Sequence, residues 1–142
     1  MHKPFLFVLI TGIISAQNKK VIFTENAPVP IGAYSQAVQT DRWLFVSGQI
    51  GMDKNGRMDT TSVESQTKQV MENIKSILEA AGYTMENVVK ATIYIKNMND
   101  FPLVNKLYGV YFKKDPPARE TVEVCRLPKN AKVEISVIAV KP

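Results

Sequence analysis

Residues 133–140, Val-Glu-Ile-Ser-Val-Ile-Ala-Val, alternate in a way that only a strand can use to bury one face. Val133, Ile135, Val137 and Ala139 fall on one parity, with Glu134 and Ser136 on the other, and successive side chains of a strand point to opposite faces. Residues 88–96 repeat the pattern, with Val89, Ala91, Ile93 and Ile95 against Lys90, Thr92, Tyr94 and Lys96. Neither strand is cleanly one-sided, because Val88, Ile138 and Val140 put apolar groups on the second parity as well. Both faces of such a sheet need cover, and another subunit is expected to supply the second.

The remaining segments supply the first cover. Val70, Ile74, Ile77, Leu78 and Ala81 recur at helical spacing, with Thr61 and Glu64 placed as a capping box and Gly82 where a left-handed residue ends a helix. Lys68, Glu72, Lys75 and Glu79 then form its solvent face. A second helix is expected over residues 100–112, burying Phe101, Val104, Tyr108 and Tyr111 and stopped by Pro116-Pro117. Upstream, residues 21–24 read as a strand and 25–32 as a loop. Residues 35–40 and 43–47 read as a hairpin turned at Asp41-Arg42, and Asp53 to Gly56 as a further turn. The order β-β-β-α-β-α-β-β defines an α+β fold with both helices on one face of a mixed sheet.

At 142 residues and 45% hydrophobic content, the chain has material for one well-packed domain. Its net charge of +5 comes from scattered Lys and Arg with no basic run, which weighs against nucleic acid as a partner. One cysteine, Cys125, excludes an intrachain disulfide and a cysteine metal cluster. The single histidine, His2, lies in a segment laid out like a secretory signal: a basic start, an apolar run from Phe5 to Ile14, then Ser15-Ala16-Gln17. Residues 1–16 are therefore expected to be removed, leaving a single domain over 17–142 that is periplasmic or secreted, and cytoplasmic if the segment is no signal. The apolar run is too short to span a membrane, which takes about 20 residues; the bland alternative is an N-terminal strand or an oligomer arm. Loss of His2 also rules out a Ser-His-Asp triad. In an oxidising compartment Cys125 is tolerable if it is buried.

Chemistry concentrates near the C-terminus. In the run from Pro117 to Lys129, Arg119, Thr121 and Glu123 share one parity and are expected to line a polar cleft, while Val122 and Val124 share the other and are expected in the core. Arg119 and Glu134 then sit on two strands joined by a short turn. A guanidinium holds a carboxylate through two parallel hydrogen bonds, and a neighbouring carboxylate can take a proton from water. Plainer roles exist for each residue. Arg119 has Glu120, Glu123 or Glu134 as ion-pair partners, Tyr34 can cap a loop, Ser47-Gly48 can be a tight strand end, and Asn97, Asn99 and Asp100 suit turns and caps.

Ala27-Pro28-Val29-Pro30-Ile31-Gly32-Ala33-Tyr34-Ser35-Gln36-Ala37, Phe45-Val46-Ser47-Gly48-Gln49-Ile50, Asn99-Asp100-Phe101 with Asn105, and Pro117-Ala118-Arg119 through Leu127-Pro128-Lys129 to Glu134 agree in order and spacing with one family. From Lys20 to Val140 the chain resembles the RidA (YjgF/YER057c) family. The resemblance implies a chorismate-mutase-like fold and a homotrimer with clefts between subunits. It further implies cofactor-free, metal-free hydrolysis of reactive 2-imino and enamine acids, such as 2-iminobutanoate and 2-iminopropanoate, to 2-keto acids and ammonia. On it, Arg119 is the carboxylate clamp and Glu134 the general base and proton carrier. Tyr34 and Ser47 line the cleft, Gly48 and Thr121 offer backbone groups, and Asn105 lies nearby.

Three positions depart from the common family pattern: Gly51 and Ala33 replace prolines, implying a more flexible cleft edge and a looser Tyr34 loop, and Thr121 replaces a cysteine. Export, away from cytosolic sources of enamines, opens a second reading as a protein that binds small carboxylates in the same clefts without turnover. A third, an RNA-acting translation inhibitor or endoribonuclease, is permitted by the basic pI but lacks an interleaved aromatic and basic stripe.

Overall fold

The computed structural model describes residues 18–142; the signal-peptide expectation for residues 1–16 lies outside the described residues. Its elements are β1 (Lys19–Ile22), β2 (Ala37–Thr40), β3 (Trp43–Ile50), α1 (Val63–Ala80), β4 (Val88–Ile95), α2 (Phe101–Gly109), β5 (Ala118–Glu123) and β6 (Val133–Val140). The expected order holds. The six strands form one mixed sheet in the order β1-β2-β3-β6-β4-β5, parallel only between β4 and β5. Helix α1 packs across β3 and β6 and against α2, so the helices cover one face.

That covered face is the core. Val70, Ile74, Ile77 and Leu78 of α1 meet Leu44, Val46, Ala91, Ile93, Val133, Ile135 and Val137 of the sheet, all buried. Residue 88, not 89, belongs with them. A register shift between Val88 and Lys90 makes Val89 an extra residue in the β4–β6 ladder, leaving it exposed and turning Val88 inward. The cap of α1 also sits one residue later than expected. Ser62 accepts a hydrogen bond from the Ser65 N–H, whereas Thr61 donates its hydroxyl to Asp59. Gly82 closes the helix as expected, at φ 73°, with its N–H on the Glu79 carbonyl and the Tyr83 N–H on the Leu78 carbonyl. Helix α2 ends at Gly109, three residues early, and buries Val104 and Tyr108.

Among the described residues nothing covers the opposite face. Trp43 and Phe45 stack there, each more than two-fifths exposed, beside Ile138 and Val140. Val122 belongs to this face too, at 41% exposure, and so corrects its expected place in the core. It registers with Tyr94, whereas Arg119 and Thr121 register with the buried Ala91 and Ile93. The parity within β5 was read correctly; which parity meets the helices depends on β4. Cys125 is likewise exposed in the single chain, so the burial that would shelter its thiol is not met there.

Candidate active site

Two cavities hold the expected site residues except Thr121, and they lie apart. The first, of about 430 Å³, is lined by Tyr34, Ser47, Gly48 and Glu134 together with Gln36, Gln49, Ile31, Ile50, Met52, Pro28 and Pro128. A bulge builds it. Between the pairs Val46–Val137 and Gln49–Ile135, β3 spends two residues, Ser47 and Gly48, where β6 spends one. Inward parity changes across this step from Leu44 and Val46 to Gln49, so Ser47 and Gly48 are freed for the cavity.

Glu134 lies directly over Gly48: a Cβ there would overlap its Oε1. Only glycine leaves room for the carboxylate in this place. Among the described residues no donor hydrogen-bonds to that carboxylate and no cation pairs with it, and burial pushes its pKa above the ordinary 4.5. The Ser47 hydroxyl donates to the Ser35 carbonyl at 2.6 Å, which keeps its lone pairs for an incoming donor. The Tyr34 hydroxyl accepts the Ile31 N–H at 3.3 Å, and the Tyr34 N–H reaches the Gly32 carbonyl, so the loop with Ala33 has its own ties.

Buried amides position these walls, and periodicity gave no sign of them. Gln36 bonds the Thr24 N–H and the carbonyls of Thr24, Ala27 and Pro28, fixing the loop above the cavity. Asn73 of α1 donates to the carbonyls of Ile50 and Met52. Gln66 spans from the Asp59 carbonyl to the Lys132 N–H, just ahead of Glu134. Gly51 is packed against the Gln66 backbone, which a Cβ would approach to 2.5 Å. It is a point of close approach, not the flexible edge the sequence implied. A buried polar residue inside an otherwise apolar pattern is the signal that could have found Gln36, Gln66 and Asn73.

The second cavity, of about 410 Å³, is lined by Asn105, Tyr108, Gly109, Phe112, Pro116, Pro117 and Arg119. The ion-pair alternatives for Arg119 are absent. Glu120 is held by Lys90 and Thr92, and Glu123 accepts the Met98 N–H. Arg119 instead donates to Asn105 Oδ1 at 2.9 Å and lies over the rings of Phe101 and Tyr108. Most of its five N–H donors remain open. The Val124 N–H bonds to Ile95 of β4, so by alternation the Thr121 N–H points to the free edge of β5. Thr121 Oγ1 is buried without a partner among the described residues.

Arg119 and Glu134 do not meet within one chain. Strand β4 stands between β5 and β6, about 10 Å across two strand spacings. Glu134 registers with Tyr94 on the bare face and Arg119 with Ala91 on the helix face. The connection expected as a short turn runs nine residues, 124–132, and lets β6 pass beyond β4. Among the described residues no group of three or more His, Cys, Asp or Glu is placed to hold a metal ion.

Residues 24–141 match the family described as Endoribonuclease L-PSP, and with this fold and these residues the chain belongs to the RidA family. It is 54% identical over 124 residues to a RutC family protein of Pyrococcus horikoshii, covering 87% of this chain and 98% of the relative. It is 48% identical over 124 residues to the 2-iminobutanoate/2-iminopropanoate deaminase of Rattus norvegicus, covering 87% of this chain and 90% of the enzyme. Among solved structures, a Rid family protein, YyfA, from Yersinia pestis superposes with a TM-score of 0.85 at 48% identity, covering 87% of this chain and all of that one. TdcF of E. coli with bound serine gives 0.83 at 38% identity, covering 87% and 99%.

Proposed function

We propose that this chain is a cofactor-free hydrolase of 2-imino and enamine acids, of the 2-iminobutanoate and 2-iminopropanoate class, producing 2-keto acids and ammonia. One observation carries the reading: among the described residues a guanidinium free of carboxylate partners and a half-buried carboxylate free of cations lie in two separate cavities. Each is half of a site for a small zwitterionic acid. A neighbouring copy closes the site by bringing its Arg119 edge to the Glu134 cavity, with the bare sheet faces packed together in a homotrimer. The relatives named as deaminases and the amino acid in the E. coli structure support a ligand of this size and charge.

The chemistry then follows from the groups present. Arg119, steadied by Asn105, holds the substrate carboxylate, with the Thr121 N–H at the strand edge and Gly48 offering backbone contacts. Tyr34 and the apolar wall of Ile31, Ile50 and Met52 enclose the substrate side chain. The protonated C=N carbon is electrophilic. Water, positioned by Glu134 and Ser47, adds through oxygen while Glu134 takes its proton, giving a carbinolamine. Glu134 returns that proton to nitrogen; the C–N bond then breaks and ammonia leaves as the hydroxyl gives its proton to the Glu134 carboxylate and becomes the keto oxygen, and ammonia takes that proton as ammonium, restoring the carboxylate. A carboxylate whose pKa is raised by burial suits both transfers.

Ammonia and keto-acid release should be measured from 2-iminopropanoate generated in place by an amino-acid oxidase. The folded protein is expected to accelerate release, and Arg119→Ala to lose about 2–5 kcal/mol of transition-state stabilisation in kcat/KM. Equal rates for both proteins would place the carboxylate clamp elsewhere. Binding of 2-oxobutanoate without any turnover would instead favour the carboxylate-binding reading.

A further inference from the structure

The Arg119 guanidinium sits 5.0 Å from the ring centroid of Tyr108 and 5.7 Å from that of Phe101, while Asn105 takes one of its N–H groups. All three partners come from one helix, α2, at positions i, i+4 and i+7, which share a face. The cation comes from the next strand. Tyr108 is only 4% exposed, its ring braced by Phe112 at 4.7 Å, and its hydroxyl has no hydrogen-bond partner among the described residues. Burial holds that phenol in its neutral form, with a pKa of about 12. What Tyr108 offers the arginine is therefore the ring face.

We propose that Phe101 and Tyr108 are positioning residues that hold the Arg119 guanidinium by cation–π contact in the plane that receives a substrate carboxylate, a role that rests on the carboxylate-clamp reading above. An arginine on an edge strand has several rotamers and loses freedom on binding. Two rings and one amide remove that freedom beforehand without spending a carboxylate, which would compete with the substrate. Helix α2 thus sets affinity, while proton transfer belongs to the other cavity. Removing a ring should raise KM and leave kcat nearly unchanged.

Phe101→Leu, Tyr108→Leu and Tyr108→Phe in the full chain test this through KM and kcat for 2-iminopropanoate and through Kd for 2-oxobutanoate by calorimetry. Loss of either ring should weaken keto-acid binding by about tenfold, the scale of a partly desolvated cation–π contact. Tyr108→Phe should bind like the parent, and ring loss in an Arg119→Ala background should add nothing. Unchanged Kd in folded Phe101→Leu would overturn the proposal. So would equal weakening with and without Arg119, or a Tyr108→Phe defect as large as that of Tyr108→Leu. If Tyr108→Leu does not fold, Phe101→Leu with and without Arg119 still decides. Absence of imine turnover by the parent, with keto-acid binding intact, would remove the deaminase reading alone; the Kd series would still decide the cradle.

Discussion

Glu134 and Gly48 show how one carboxylate is kept ready by what is missing around it. Among the described residues no donor satisfies it, and its burial raises its pKa. Two pH dependences follow with opposite meaning. As a base it must be ionised, so kcat/KM should rise with pH through the raised value, and Glu134→Gln should lose both the rate and that limb of the profile. For stability the sign reverses. A raised folded-state pKa means that the favourable contribution is present below the unfolded value near 4.5 and is lost as pH rises through the folded one. Thermal melts of Glu134→Gln and the parent should therefore nearly coincide at pH 4, with the variant more stable at pH 8. Gly48→Ala offers a separate check, because the nearest atoms its methyl would meet all belong to the movable Glu134 side chain. Turnover should fall at least about tenfold, as misplacement of reacting groups does, while keto-acid binding and melting temperature stay close to those of the parent.

Among the elements, α1 was legible nearly whole, because its 3.6-residue period and terminal glycine are local signals. Its cap was not, since Thr61 and Ser62 both qualify and the choice depends on Asp59, which engages the Thr61 hydroxyl. Denaturant unfolding should show Ser62→Ala losing about 1 kcal/mol as a helix cap, with the Ser65 N–H left open. Gly82→Ala, at φ 73°, should lose about 1–2 kcal/mol. The strands were legible by parity alone. Alternation says which residues of β5 travel together, but the sheet decides where each set points, so Val122 was misplaced while Arg119 and Thr121 stayed together. In β4 a bulge, which no alternation count detects, exchanged Val88 for Val89.

For the whole molecule, the candidate site could be named from motifs but not assembled from one chain. Tyr34, Ser47, Gly48 and Glu134 share one cavity and Arg119 with Asn105 another, on faces that a single sheet cannot bring together. The proposed intersubunit site makes a specific demand on mixtures. Arg119→Ala and Glu134→Gln, each inactive alone, should recover activity when refolded together. At equal proportions, random assembly gives about a quarter of the sites both intact groups. Recovery read from ammonia release, together with an oligomer in light scattering, supports the arrangement. Strictly additive residual activity in a mixed oligomer would exclude it.

The position of β6 has a consequence for how such a chain comes into being. This strand is made after every other one described, yet it lies in the middle, hydrogen-bonded to β3 on one side and β4 on the other. Until residues 133–140 have left the ribosome, the three N-terminal strands and the β4–β5 pair have no shared partner. They present two incomplete edges, and α1 has only part of its surface to rest on. Folding is therefore held back until β6 has emerged, and the strand that completes the sheet is the one that brings Glu134 over Gly48. A ribosome-held chain stopped before residue 133 should accordingly be open to protease along its length, whereas one carrying β6 clear of the exit tunnel should resist as a unit.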